Sequence, residues 1–283
     1  MKLLVGTSGF SYPGWRGGFY PEGLPASEML RSYAARLPTV EINNTFYRMP
    51  QPALLQGWLE KAPPEFRFAL KAPRRITHIA RLKGAGEALG RFLEVAATLG
   101  TQLGPLLFQL PPFVQKDAQV LREFLALLPE GTLAAFEFRH PSWFDDEVYG
   151  ALADRQAALV AGDPDEGEAL PLVATAGFGY LRLRSATYDL RALEAWRERI
   201  EAQPWQVAHV YLKHEVLGPA YAEALQRLFR GERAELPEPP EPPELHQVLK
   251  PPKAGKKAVA KLESAKKSER TKSPVKKKNA ARR

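Results

Sequence analysis

Eight short runs of β-type residues punctuate the first 231 positions, and segments with helical spacing lie between them; no other feature restricts the fold as much. The runs are 3–7, 39–45, 67–71, 105–110, 134–138, 157–161, 179–184 and 207–213. Between them apolar residues recur every three or four positions, as in Leu89, Phe92, Leu93 and Ala96, or Leu121, Phe124, Leu125 and Leu128. Leu190, Leu193, Trp196 and Ile200 form a third set, and Tyr221, Ala224, Leu225 and Leu228 a fourth, with Gly231 placed to end the last helix. Strands alternating with helices imply a mostly parallel sheet with right-handed crossovers. Eight units in about 230 residues fit the compact end of the TIM-like (β/α)8 barrel range. The sixth unit is expected to be irregular, because 162–178 leaves little room for a helix. A doubly wound open sheet is the alternative, but the chain has neither a glycine-rich dinucleotide fingerprint nor a phosphate-binding P-loop.

Alternation within each run sorts residues by face. Glu41 and Asn43 oppose Val40 and Ile42; Arg67, Ala69 and Lys71 oppose Phe66, Phe68 and Leu70; Glu137 and Arg139 oppose Phe136 and Phe138; Arg182 and Arg184 oppose Leu181 and Leu183. The apolar sets are expected to pack on helices and the polar sets to point into the barrel. Gln109 follows the same parity in the fourth run, and Asp163 lies just past the sixth. The polar positions fall at the carboxyl ends of their strands, where barrel enzymes place their sites. A purely structural ion-pair network of Glu41, Glu137, Lys71, Arg139 and Arg182 is the competing reading, but buried charge is costly unless paired or useful. The site reading is favoured.

The formal charge of +8 is unevenly spread. Residues 1–231 hold 25 Lys+Arg and 25 Asp+Glu; residues 232–249 hold one Arg and five Glu; residues 250–283 hold 14 Lys+Arg and two Glu. The basic character therefore belongs to a tail. Residues 232–249 read as a stiff Pro/Glu-rich linker, and 250–283, with no aromatic residue, as a disordered Lys-rich tail. The chain has no cysteine, which excludes disulfides, thiolate metal sites and a cysteine nucleophile. No stretch has signal-peptide or membrane-spanning length, and the expectation is a cytoplasmic protein that meets no membrane.

Aromatic residues follow several strand ends: Tyr12, Trp15, Phe46, Tyr47, Trp143 and Tyr188. Ringing a charged pocket, they suit stacking against a sugar or base, while Lys71, Arg139 and Arg182 offer donors to phosphate or carboxylate. Glu41 and Glu137 are candidate proton-transfer groups, with environments expected to push their pKa values apart, and His140 is a further candidate after its strand. The histidines show no ligand spacing, so no metal is assigned and no cofactor is implied. Thr7 and Ser8 read as turn or hydroxyl-binding residues.

Five motifs, GTSGFSYPGWRGGFYP (6–21), VEINNTFYRMP (40–50), FRFALKAPRRITH (66–78), LGPLLFQLPP (103–112) and FEFRHPSW (136–143), followed more loosely by YLRLRSATY (180–188), resemble the DUF72 family of YecE-like proteins. The resemblance implies a TIM-like barrel over 1–231 and supports the positions of the site; since the family has no established activity, it implies no reaction. Two departures stand out. Members usually carry His-Gly where this chain has Arg184 and Ser185, and an Asn/Asp-rich turn where it reads LKHEVLGPA (212–220).

The functional expectation is a barrel that binds or acts on a small anionic, ring-containing ligand such as a nucleotide or sugar phosphate. Lys71, Arg139, Arg182, Asn43 and Gln109 would hold it, and Glu41, Glu137 or His140 would handle protons. The alternative is a nucleic-acid-associated protein with a silent barrel, in which 250–283 supplies nonspecific phosphate affinity.

Overall fold

The computed structural model describes residues 1–163 and 169–238. Eight parallel strands close a barrel in sequence order: β1 (Lys2–Ser8), β2 (Thr39–Ile42), β3 (Arg67–Lys71), β4 (Leu103–Gln109), β5 (Ala134–Glu137), β6 (Ala158–Asp163), β7 (Phe178–Leu183) and β8 (Val207–Leu212). Each strand pairs with its successor, and β1 pairs with β8. Helices α1 (Met29–Ala34), α2 (Pro52–Leu59), α3 (Gly86–Ala96), α4 (Ala118–Ala126), α5 (Asp146–Ala153), α6 (Leu190–Glu201) and α7 (Gly218–Phe229) follow every strand except β6. Among the described residues β6 runs to β7 without a helix; an isolated antiparallel bridge, Gly162 to Leu170, and the buried Thr175 hydroxyl, which donates to Ala157 O and accepts from Leu159 N, organise the connection.

The helices carrying long apolar periodicity lie where that periodicity sets them. Leu89, Phe92 and Ala96 of α3 are buried, as are Leu121, Phe124 and Leu125 of α4. Asp117, Asp145 and Asp189 cap α4, α5 and α6, each accepting a backbone N–H from the third residue onward, which satisfies an otherwise orphaned donor. Gly231 adopts φ 68° after α7, the left-handed geometry of a helix stop. The chain stays packed past it, for Ala234 is buried and Leu236 lies against the core, so the compact unit runs Met1–Pro237. The remainder of the Pro/Glu-rich linker from residue 239, and the whole of the 250–283 tail, lie outside the described residues. No helix among the described residues is long and apolar enough to cross a membrane.

Two apolar clusters divide by strand parity. The larger joins the outward faces of the strands to the helices; the smaller fills the lumen with Ala69, Leu107, Ala135, Val160, Tyr180 and Tyr211. The lumen is therefore a packed core and not a pore. Toward the amino ends of the strands, His209 is buried and its pKa is driven down to about 3, by burial first and then by Arg67 and Lys2, so it is neutral. Above the plug, at the carboxyl ends, the inward positions turn polar.

Candidate functional site

The polar layer is built from single inward positions on successive strands: Ser8 of β1, Glu41 of β2, Lys71 of β3, Gln109 of β4, Glu137 of β5 and Arg182 of β7. At its centre the Arg182 guanidinium bridges two carboxylates. Nη2 donates to Glu41 Oε1 at 2.8 Å and Nη1 to Glu137 Oε2 at 2.5 Å. Arg182 is 2% exposed, Glu41 0% and Glu137 4%. Burial this deep requires every charge to be answered, and the remaining oxygens are. Glu41 Oε1 also accepts from Ser8 Oγ at 2.7 Å and from Asn43 Nδ2 at 3.0 Å, and its Oε2 accepts from the Tyr180 hydroxyl at 2.8 Å. Glu137 Oε1 accepts from Arg139 Nε at 3.0 Å.

This pairing decides the protonation of both acids. Burial alone would raise their pKa values, but Arg182 and then Arg184 outweigh it, and both carboxyls are held well below the usual carboxylate range. They are not pushed apart, contrary to what a proton-transfer pair needs. Glu41 and Glu137 are thus held as anions near neutral pH by a shared cation, an arrangement that lends no support to the acid/base role expected of them. Of the five residues in the expected ion-pair network, four form it and Lys71 does not.

A folded-state pKa below the unfolded one contributes stability that is present above about pH 4.5 and lost as the pH falls through the lowered value. The melting temperature is accordingly expected to fall steeply below about pH 4, and less steeply in Glu41→Gln, where one of the two coupled protonations is gone. Thermal unfolding from pH 6 to pH 2 checks this; parallel curves for parent and variant would remove the linkage from Glu41.

Lys71 stands apart from the clamp. Its Nζ donates to Gln109 Oε1 at 2.6 Å and lies 4.5 Å from the centre of the Phe46 ring. Among the described residues it makes no ion pair, and burial, then the repulsion of Arg182, lowers its pKa to about 8 despite Glu41 and Glu137. Arg139 is more open, with its side chain 34% exposed. Among the described residues only its Nε has a hydrogen-bond partner, Glu137, and its two terminal nitrogens have none.

The expected aromatic ring is largely absent. Trp15 is 1% exposed and packs with Tyr12, Phe19, Tyr20 and Tyr33. Trp143 is buried face to face on Phe138 at 4.3 Å, with Nε1 donating to Val114 O. Tyr188 is buried too; its hydroxyl donates to Asp163 Oδ1 at 2.6 Å and accepts from Ser185 N, tying the β7 connection to the end of β6. The loops fold back and use these rings as core. Half-buried Tyr12 and Phe46 and exposed Tyr47 remain near the rim, Tyr12 anchored through its hydroxyl to Ser8 O at 2.6 Å. His140 is a cap: its Nδ1 accepts from Ser142 N, a role that accounts for it without catalysis.

Tyr180 was not singled out by sequence, although it shares the inward parity of Arg182. Both departures from the resembled family form closed turns. Arg184 N donates to Asp163 Oδ1, and His214 Nδ1 accepts from Val216 N and Leu217 N at the entry to α7. Among the described residues no cluster of three His, Asp or Glu has metal-binding placement. A groove of about 560 Å³ lies off-centre, between the β3–α3 and β4–α4 connections. Ile79, Arg81, Lys83, Phe113 and Trp143 help to line it, and it includes none of the clamp residues.

Comparison with known proteins agrees with this architecture. A family described as "Protein of unknown function DUF72" matches residues 4–246. The chain is 31% identical over 143 residues to UPF0759 protein YecE of Escherichia coli (strain K12), and 24% identical over 155 residues to UPF0759 protein YunF of Bacillus subtilis (strain 168). These stretches cover 50% of this chain and 50% of YecE, and 52% and 54% for YunF, so the chain spans about half the length of the curated relatives it matches. The crystal structure of a DUF72 family protein from Thermotoga maritima superposes with a TM-score of 0.71 at 24% identity, covering 81% of this chain and all of that one. One from Enterococcus faecalis gives 0.68 at 17% identity, covering 85% and 99%. At these identities the structures establish the shared barrel alone.

Proposed function

The chain belongs to the DUF72 family, and from that fold we propose that its barrel mouth binds, or acts on, a small anionic ligand such as a nucleotide or sugar phosphate. One observation carries the reading: the partly exposed Arg139 guanidinium is held to Glu137 through Nε, and among the described residues its terminal nitrogens have no hydrogen-bond partner. A planar fork anchored at its base suits bidentate capture of phosphate or carboxylate. The clamp supports the reading indirectly. Arg182 and Arg139 together balance the charges of Glu41 and Glu137, so an anion arriving beside Lys71 meets less repulsion than two unpaired carboxylates would give. Phe46, Tyr12 and Tyr47 supply the aromatic surface for a ring. Arg182 is not a ligand donor in this reading, because both of its terminal nitrogens are already committed.

Arg139→Gln is the test. Arg139 is partly exposed but supplies the hydrogen bond to the buried Oε1 of Glu137, so the change is expected to cost about 1–3 kcal/mol of stability with the fold kept. Stabilisation of the parent by nucleotides, sugar phosphates or inorganic phosphate in thermal shift assays should fall roughly tenfold in apparent affinity, as for loss of a charge-assisted hydrogen bond. A parent protein that no anion stabilises, or a variant stabilised equally, would overturn the proposal.

A further inference from the structure

Among the described residues Lys71, an amine at the mouth, makes no ion pair with the acids of the clamp. Lys71 Nζ sits at the carboxyl end of β3, partly open to solvent, fixed by a neutral amide oxygen on one side and by an aromatic face on the other. Four charged groups act on it: Arg182 and Arg184 oppose its protonation, while Glu41 and Glu137 favour it. Both acids are engaged by arginines, so neither forms an ion pair with it. A lysine used only to hold an anion gains from full charge and an open position; a desolvated lysine among arginines is arranged to give up its proton.

We propose that Lys71 is a nucleophilic amine that condenses with the carbonyl carbon of a small anionic aldehyde or ketone held by Arg139. This deepens the anion-binding reading and rests on it for the identity of the ligand. In the step, the unprotonated Nζ lone pair attacks the carbonyl carbon; the C–N bond forms as the carbon–oxygen π bond opens. The oxygen gains a proton and the nitrogen loses one, giving a carbinolamine. Loss of the hydroxyl as water, with a proton taken from solvent, leaves an iminium, and the nitrogen then returns one proton to solvent, leaving the carbon–nitrogen double bond of the neutral imine. The sum is amine plus carbonyl giving imine plus water, with no oxidant or reductant. Gln109 Oε1 accepts one N–H and so orients the lone pair. The pKa of about 8 leaves roughly a tenth of Lys71 neutral at pH 7, about two hundredfold more than an ordinary surface lysine.

The experiment uses the full chain and two related probes. Pyridoxal 5′-phosphate is a ring-bearing anionic aldehyde, and pyridoxal lacks the phosphate. Each is added at substoichiometric concentration near pH 7, the imine is reduced with borohydride, and labelled lysines are located by peptide mass spectrometry. Lys71 should be labelled at least about tenfold faster than exposed Lys83, and Lys71→Met should remove the fast-forming adduct. Arg139→Gln should slow labelling by the phosphate probe alone. Equal labelling of Lys71 by both probes, still ahead of Lys83, would keep the nucleophilic amine and overturn the anion-binding reading. Labelling of Lys71 no faster than Lys83 with either probe overturns the amine.

Discussion

Arg182→Gln should be the most damaging single change in the barrel mouth. It takes the shared counter-ion from two carboxylates that are almost wholly buried, and breaking such an arrangement from one side costs about 3–5 kcal/mol. For a domain of this size that amounts to a fall of roughly 10 °C in melting temperature. The pH dependence should also reverse. Without Arg182, burial raises the carboxyl pKa values above those of the unfolded chain, so the folded state binds more protons and stability falls as the pH rises from 5 to 7. Adding Glu41→Gln and Glu137→Gln to Arg182→Gln should recover part of the loss, since the stranded charges are then gone. A loss under about 1 kcal/mol for the single variant would show that the clamp is not needed to neutralise these acids.

Gly162→Ala should come close to it in size, for a steric reason. Gly162, the penultimate residue of β6, has φ 137°, which L side chains rarely adopt, and a Cβ there would lie 2.1 Å from the backbone oxygen of Arg182. That oxygen belongs to a paired strand, with Gly162 and Arg182 in register, so it cannot yield without opening the β6–β7 ladder. Overpacking against backbone together with φ strain is expected to cost on the order of 3 kcal/mol or more. It should also displace Arg182, so the acid-dependent part of the stability should shrink with it. Chemical denaturation at pH 7 and pH 4 measures both, and a variant within about 0.5 kcal/mol of the parent at pH 7 would contradict the close approach.

How far the sequence was legible follows from which forces are local. Strand alternation is local: every strand lies within three residues of its expected run at either end, and the inward parity of Glu41, Lys71, Gln109, Glu137 and Arg182 follows from a period of two. The short helices α1, α2 and α5 span eight residues or fewer, too little for an apolar repeat to stand out. Pairing within the layer is not local. Parity puts Lys71 and Arg182 on the same face, but only the closed barrel shows that the planar guanidinium spans Glu41 and Glu137 while the amine turns to Gln109. Trp15, Trp143 and Tyr188 were misread because a loop's composition does not reveal whether it folds back over its own strand. The buried Trp143 hydrogen bond to Val114 joins positions 29 apart in the chain.

The span of the clamp also bears on the order in which the barrel assembles. Glu41, Glu137 and Arg182 sit on β2, β5 and β7, no two of which are neighbours, and the Glu41–Arg182 contact closes a separation of 141 residues. Strand-by-strand pairing can advance from either end without it, because every pairing except that of β1 with β8 is with the next strand in sequence. The guanidinium meets both acids only when the lumen has closed around it. Interactions that form so late, over such long separations, lend little to the folding transition state and much to the barrier against leaving the native state. Arg182 is thus a latch: it has little part in how fast the barrel is made and a large one in how long the barrel lasts.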